Sequence, residues 1–159
     1  MFRKMRRNKQ ALTLEECIEI LERNTSGVLA TYGDNDYPYA IPLSYAYHDN
    51  HIYIHSAKSG HKLDAIKRHD KVSFCIIDQD QVIAEKYTTY FRSIIAFGQA
   101  SIMSGPSKQK ALTLIGSKYS RLFDYNSEVE KNLERVEMID INIDYLSGKT
   151  SIELIKQES

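Results

Sequence analysis

Apolar and polar residues alternate with a period of two through most of this chain, and helical periodicity interrupts that pattern only a few times. That arrangement constrains the fold more than any other feature. Val136-Glu137-Met138-Ile139-Asp140-Ile141-Asn142-Ile143 alternates almost without fault, the pattern of a strand with one face buried. Gly27–Tyr32, Pro38–Tyr47, Ile52–Ile54, Lys71–Ile77 and Tyr87–Met103 give further strands. Pro42 assigns the second of these to a sheet edge or a bulge, because proline cannot donate to a ladder. Gly98 marks a bulge or a barrel corner. Leu146–Lys149 reads as a turn and Ser151–Ile155 as a last strand. The polar segment from Asp78 to Lys86 reads as a loop.

Helical stretches fall at the start, middle and late third. Thr13-Leu14-Glu15-Glu16 is a capping box opening a helix with Leu14, Cys17, Ile18 and Leu21 on one face, ending near Asn24. A second helix follows Gly60 and runs to His69. A third follows Gly105-Pro106-Ser107 and carries Ala111, Leu112, Leu114, Ile115 and Tyr119, and a short fourth spans 127–133. Strict strand–helix alternation is missing, which argues against a doubly wound parallel sheet. The expected class is α+β, mainly β: a six- to seven-stranded antiparallel Greek-key barrel with flanking helices.

The chain of 159 residues reads as one domain, 1–159, with a basic N-terminal arm over 1–12. Eleven tyrosines and no tryptophan suit half-buried sheet surfaces. Lys+Arg and Asp+Glu balance at 21 each, so no global field points to nucleic acid. Arg3, Lys4, Arg6, Arg7 and Lys9 form a local basic run that reads as a solvated tail. No stretch reaches the ~18–20 apolar residues of a membrane span, and no secretory h-region is present. Cys17 and Cys75 stand apart with no C-x-x-C, which fits a reducing cytoplasm rather than a disulfide framework or a cysteine zinc site.

The chemistry concentrates in Ile52–Leu63. A strand there delivers His55 and Ser56 to the turn Ala57-Lys58-Ser59-Gly60, and a helix then starts with His61 and Lys62. The free N–H groups and macrodipole of a first helical turn favour anions, and Ser56, Ser59, Lys58 and Lys62 add donors and charge. The spacing is neither a P-loop nor a dinucleotide fingerprint. All five histidines lie between His48 and His69 without a metal-binding motif, and no nucleophile elbow occurs. Arg92, at the start of the β run Arg92–Gly98, has a planar fork able to hold a phosphate, although an exposed strand arginine is the commoner reading. Ile41–Tyr45 offers a proline-bent strand able to meet a flat heterocycle. Catalysis by the chain's own side chains has little motif support, so a cofactor is expected to bring the reactive chemistry.

Taken together, Met5-Arg6-Arg7, Gly27–Thr31, Tyr37–Tyr45, Ile52–Ser56, Gly60–Leu63, Arg92–Gly98 and Ser147-Gly148-Lys149 resemble the flavin-binding split-barrel superfamily that includes pyridoxamine 5′-phosphate oxidase, and more closely its nitroimidazole-resistance branch. That resemblance implies a cytoplasmic homodimer with FMN or FAD at each end of the subunit interface, and a small-molecule acceptor. Pro42, Leu43, Ser44 and Tyr45 would lie along the flavin ring, with His55 and Ser56 beside it. His55 takes the position of the histidine proposed to act near substrate. Ser59, Gly60, His61 and Lys62 would hold the phosphate, assisted by Arg92 or Ser93. The implied activity is reduction of a small flat acceptor of nitroimidazole or nitroaromatic type. A non-catalytic flavin carrier and a haem-binding barrel stand as alternatives. The tryptophan- and arginine-bearing substrate motifs of the pyridoxamine-phosphate oxidases are missing, and Leu146 stands where an aromatic often precedes Ser-Gly-Lys.

Overall fold

A computed structural model of the chain describes residues 1–119 and 131–158. Seven strands form one antiparallel sheet in the order β2-β1-β5-β6-β7-β4-β3. They are β1 (Ser26–Tyr32), β2 (Pro38–Ser44), β3 (Ala46–His48), β4 (His51–Ala57), β5 (Lys71–Ile83), β6 (Thr88–Ile102) and β7 (Val136–Thr150). Four helices flank it: α1 (Leu14–Arg23), α2 (His61–Arg68), α3 (Gly105–Tyr119) and α4 (Ile152–Glu158). The two edge strands, β2 and β3, are consecutive in the chain and separated by Tyr45 alone. The sheet therefore curls until its edges are joined by one covalent step, leaving a barrel that is split between β2 and β4.

The inside of the curl is lined by alternate residues of every strand. Leu29, Ile52, Ile54, Phe74, Ile76, Ile94, Ile139 and Ile141 are each almost fully buried, and each contributes roughly 2 kcal/mol by leaving water. α1 closes one end. Its capping box forms in both directions, Glu16 N–H to Thr13 Oγ1 at 3.2 Å and Thr13 N–H to Glu16 Oε2 at 2.6 Å. It buries Cys17, Ile20 and Leu21, whereas Leu14, expected on that face, lies exposed. α3 crosses the outside of the sheet, where Ala111 and Ile115 pack on Ala46 and Met138.

Four sequence expectations are corrected. The segment Asp78–Lys86 is mostly strand: β5 continues to Ile83, paired through Ile83↔Thr88 with β6. A two-stranded ribbon wetted on both faces is held by its backbone ladder and needs no apolar alternation. The strand Pro38–Tyr47 is broken in two at Tyr45. Ser147-Gly148-Lys149 is not a turn, because β7 runs through it to Thr150 along β6. Residues 152–158 then form helix α4 rather than a last strand. Gly98 does mark the bulge, between Phe97 and Gly98 in the β6–β7 register. The fourth expected helix is described only at 131–133; the rest of it lies outside the described residues. The N-terminal arm is not free. Phe2 stacks on Tyr145 (4.7 Å, 11°) and Ala11 bridges Lys149. No helix among the described residues is long and apolar enough to cross a membrane.

Candidate functional site

The split in the barrel is the site's frame. β3 pairs only with His51–Tyr53, so the edge of β4 from Ile54 to Ala57 has no neighbouring strand on that side. β2 pairs with β1 along one edge and leaves the other edge open. The two unpaired edges diverge from Tyr45 into a notch. At its wide end, β4 passes through Lys58-Ser59-Gly60 into α2, and the His61 ring stacks on Tyr39 of β2 at 4.0 Å and 14°. Pro42 on β2 thus occupies an edge position, as its missing N–H requires.

The notch gathers most of the residues singled out in the sequence. Pro42 and Ser44 are exposed on β2, while Leu43 packs against the core. His55 is exposed on the outward face of β4. Ser56, on the inward face, is 4% exposed, and its Oγ has no hydrogen-bond partner among the described residues. A buried hydroxyl left unsatisfied costs about 1–3 kcal/mol, so it marks a place where a polar group can be received. Gly60 precedes α2 with φ +140°, and a Cβ there would meet nothing within 4 Å, so backbone conformation rather than crowding selects glycine. Leu63 and Asp64 both donate to Gly60 O, and no side chain caps the helix. The amides of His61 and Lys62 precede the helix ladder and carry the positive end of its dipole. Ser59 is exposed and Lys62 half-buried.

Three residues fall elsewhere. Tyr45 is wholly buried, donates its hydroxyl to Leu21 O at 2.7 Å and packs edge-on against Phe74. Burial pushes its phenol well above the ordinary range. It shapes the notch from inside and presents no side chain to it. Arg92 lies on the inward face of β6 beside α1, its guanidinium 3.9 Å from Asp78 Oδ2. α2 meets the other end of the same strand, where Ala100 N–H donates to Asp70 O. Eight residues at about 3.3 Å each place Arg92 roughly 26 Å along β6 from Ala100. Ser93 faces outward, opposite Lys149.

Residues that no motif flagged complete the frame. Arg23 forks onto Asp78 at 2.9 and 2.5 Å, and Asn24 adds a bond at 2.8 Å. Burial pushes the Asp78 carboxyl up, but these donors and the Arg23 and Arg92 charges outweigh it and hold it below the usual range. The Tyr119 hydroxyl at the end of α3 accepts from Tyr45 N–H and reaches the carbonyls of Tyr45 and Thr25. The Lys118 ammonium sits 4.2 Å from the Tyr45 ring centroid. Asp34 accepts from Arg68 at 2.6 Å and lies 3.6 Å from His61 Nε2. Residues scattered over elements far apart in the chain carry no spacing signal, and only the fold assembles them.

The family model described as pyridoxamine 5′-phosphate oxidase matches residues 13–150. A comparison with curated proteins finds no match. Among solved structures, a conserved hypothetical protein from Mycobacterium tuberculosis superimposes with a TM-score of 0.81 at 18% identity, over 95% of this chain and 92% of its own. A protein assigned to 5-nitroimidazole antibiotic resistance in Bacteroides thetaiotaomicron gives 0.74 at 18% identity, over 87% and 85%. An FAD and heme binding protein from Mycobacterium smegmatis gives 0.76 at 19% identity, over 91% and 74%. These identities establish a shared fold.

Proposed function

Because this chain belongs to the pyridoxamine 5′-phosphate oxidase family, we propose that it binds a flavin, FMN or FAD, in the notch between β2 and β4 and reduces a small flat acceptor of nitroaromatic type. The observation that carries the reading is the coincidence, in one opening, of a proline-bearing open strand edge, an uncapped helix start bearing Lys62, and the unsatisfied Ser56 hydroxyl. These residues fit a flavin phosphate. The α2 amides and Lys62 would hold it, Ser59 would add a hydroxyl, and the exposed edge of β2 at Pro42 and Ser44 would lie along the ring. When bound, the flavin supplies the electron-transfer chemistry. The chain's part is to orient it, exclude water along β2, and present the exposed His55 imidazole as a proton donor to the acceptor. The likeness to FAD-binding proteins supports a flavin, and the likeness to a 5-nitroimidazole resistance protein supports the acceptor class.

The proposal includes a homodimer formed through the outward face of the sheet. Tyr32, Ile77 and Ile95 are exposed there, and half-buried Val28, Cys75 and Phe97 lie between them on the paired strands. A contiguous apolar face of this kind is the usual mark of an interaction surface.

The deciding experiment is the visible spectrum of the purified protein with mass identification of any released chromophore. Released FMN or FAD, with acceptor reduction exceeding that of an equal amount of free flavin, supports the proposal. Flavin without such turnover reduces it to a carrier. A Soret band replaces it with haem binding, and a colourless protein that rejects added flavin overturns it.

A further inference from the structure

A second cavity, of about 590 Å³, lies between the first half of α3 and the outward face of the β3–β4 hairpin. It falls within the ~300–1,000 Å³ range of small-molecule sites and shares no lining residue with the notch. Tyr53, Met103, Ala111 and Leu114 give it an apolar wall, and His48 and Lys110 stand at its polar rim. Among the described residues, none that lines it is an acid.

The acids nearby are already engaged or stand apart. Asp140, opposite Tyr53 in the β4–β7 register, accepts from His51 Nδ1 at 2.7 Å. Glu137 pairs with Lys108 at 3.7 Å, and Asp49 occupies the turn between β3 and β4. Lys110 makes no ion pair among the described residues. The Tyr53 ring lies parallel to the His51 imidazole, 5.9 Å away at 5°. The cavity thus combines an aromatic plate, a soft thioether and an ammonium that makes no ion pair among the described residues. A thioether adapts to irregular flat surfaces, and an ammonium beside apolar surface favours a carboxylate through a charge-assisted hydrogen bond.

We propose that this cavity binds a small aromatic carboxylate, its ring against Tyr53, Met103 and Leu114 and its carboxylate on Lys110. The site is independent of the flavin notch and does not rest on the flavin reading.

The test uses the full chain and two probes of nearly equal shape, benzoate and its neutral counterpart benzamide, followed by saturation-transfer NMR and calorimetry. Benzoate is expected to bind saturably and about tenfold more tightly than benzamide, the ratio one charge-assisted bond supplies. Lys110→Gln should remove that preference while leaving benzamide unchanged. Thr113→Trp, which fills the cavity from its rim, should abolish binding of both, with the thermal melt confirming that each variant folds. Saturating FMN should displace neither probe. Equal binding of the two probes, unchanged benzoate affinity in Lys110→Gln, retained binding in Thr113→Trp, displacement by FMN, or no saturable benzoate binding would each overturn the proposal.

Discussion

The His61 ring lies flat on the Tyr39 ring at 4.0 Å, and this stack is the only aromatic contact among the described residues that spans the mouth of the notch. It joins α2 to the open strand β2, and its orphaned Nε2 points the contact back toward Asp34 rather than toward solvent. The His61 side chain therefore acts as a latch on the frame, while its backbone amide stays with that of Lys62 at the open start of α2. His61→Ala should cost about 1 kcal/mol of stability, the worth of such a ring pair. It should also speed flavin loss, whereas Lys67→Ala on the exposed side of α2 should do neither. Urea denaturation and flavin release by fluorescence read the two effects.

In the proposed flavin site, Lys62 and the α2 amides would hold the phosphate rather than the ring. Lys62→Gln is expected to weaken FMN binding about tenfold, in the range of one charge-assisted hydrogen bond. Riboflavin, which lacks the phosphate, should bind the variant and the parent alike. Parallel titrations of the two flavins check this, and equal weakening of both would remove Lys62 from the phosphate site.

Asp78 ties α1 to the β5–β6 ribbon through Arg23 and Asn24. Its carboxyl is held below its ordinary value, so its contribution is complete above about pH 4 and fades as the pH falls below the unfolded-state value. Asp78→Asn should cost about 2 kcal/mol at pH 7 and flatten the acid limb of the stability profile below pH 4. Denaturant titrations at several pH values measure both.

Tyr45 carries the break between β2 and β3, and its hydroxyl satisfies the Leu21 carbonyl. Tyr45→Phe should cost about 1–2 kcal/mol by leaving that buried carbonyl unpaired. Burial raises the phenol above its ordinary value, so the stability tied to its neutral form is complete below about pH 10 and declines above it. Stability measured from pH 9 to 11 should fall more steeply in the parent than in the phenylalanine variant.

Gly98 sits at the bulge where β6 bends, and a Cβ there would collide with the backbone carbonyl of Asn142. A strand carbonyl cannot rotate away as a side chain can. Gly98→Ala should therefore cost about 2–3 kcal/mol, visible as a lowered melting temperature.

Much of the site was legible because it is local. Ile52–Leu63 encodes a strand, a turn and a helix start in adjacent residues, so His55, Ser56, Gly60 and Lys62 could be grouped without knowing the fold. Arg92 could not be placed that way. In sequence it opens a β run like any other, and only the β5–β6 register shows that it stands beside Asp78. Ser147-Gly148-Lys149 misled for a similar reason. Small polar residues favour turns in isolation, but Gly148 is buried here, and a Cβ on it would lie 2.6 Å from Cys17 Sγ. The glycine lets α1 approach β7 and does not end the strand.

The sequence by itself determined α1 with its capping box, the strand β1, the alternating faces of β4 and β7, the bulge at Gly98 and the helix start after Gly60. Apart from the bulge, which answers the close approach of Asn142 in β7, each depends on contacts within a few residues. Tertiary structure alone decided that β2 and β3 part at Tyr45, that β5 extends to Ile83, and that α2 latches onto Tyr39. Those outcomes depend on pairings between residues far apart in the chain. Their free energy comes from a closed core and a shared backbone ladder, and no local propensity records it.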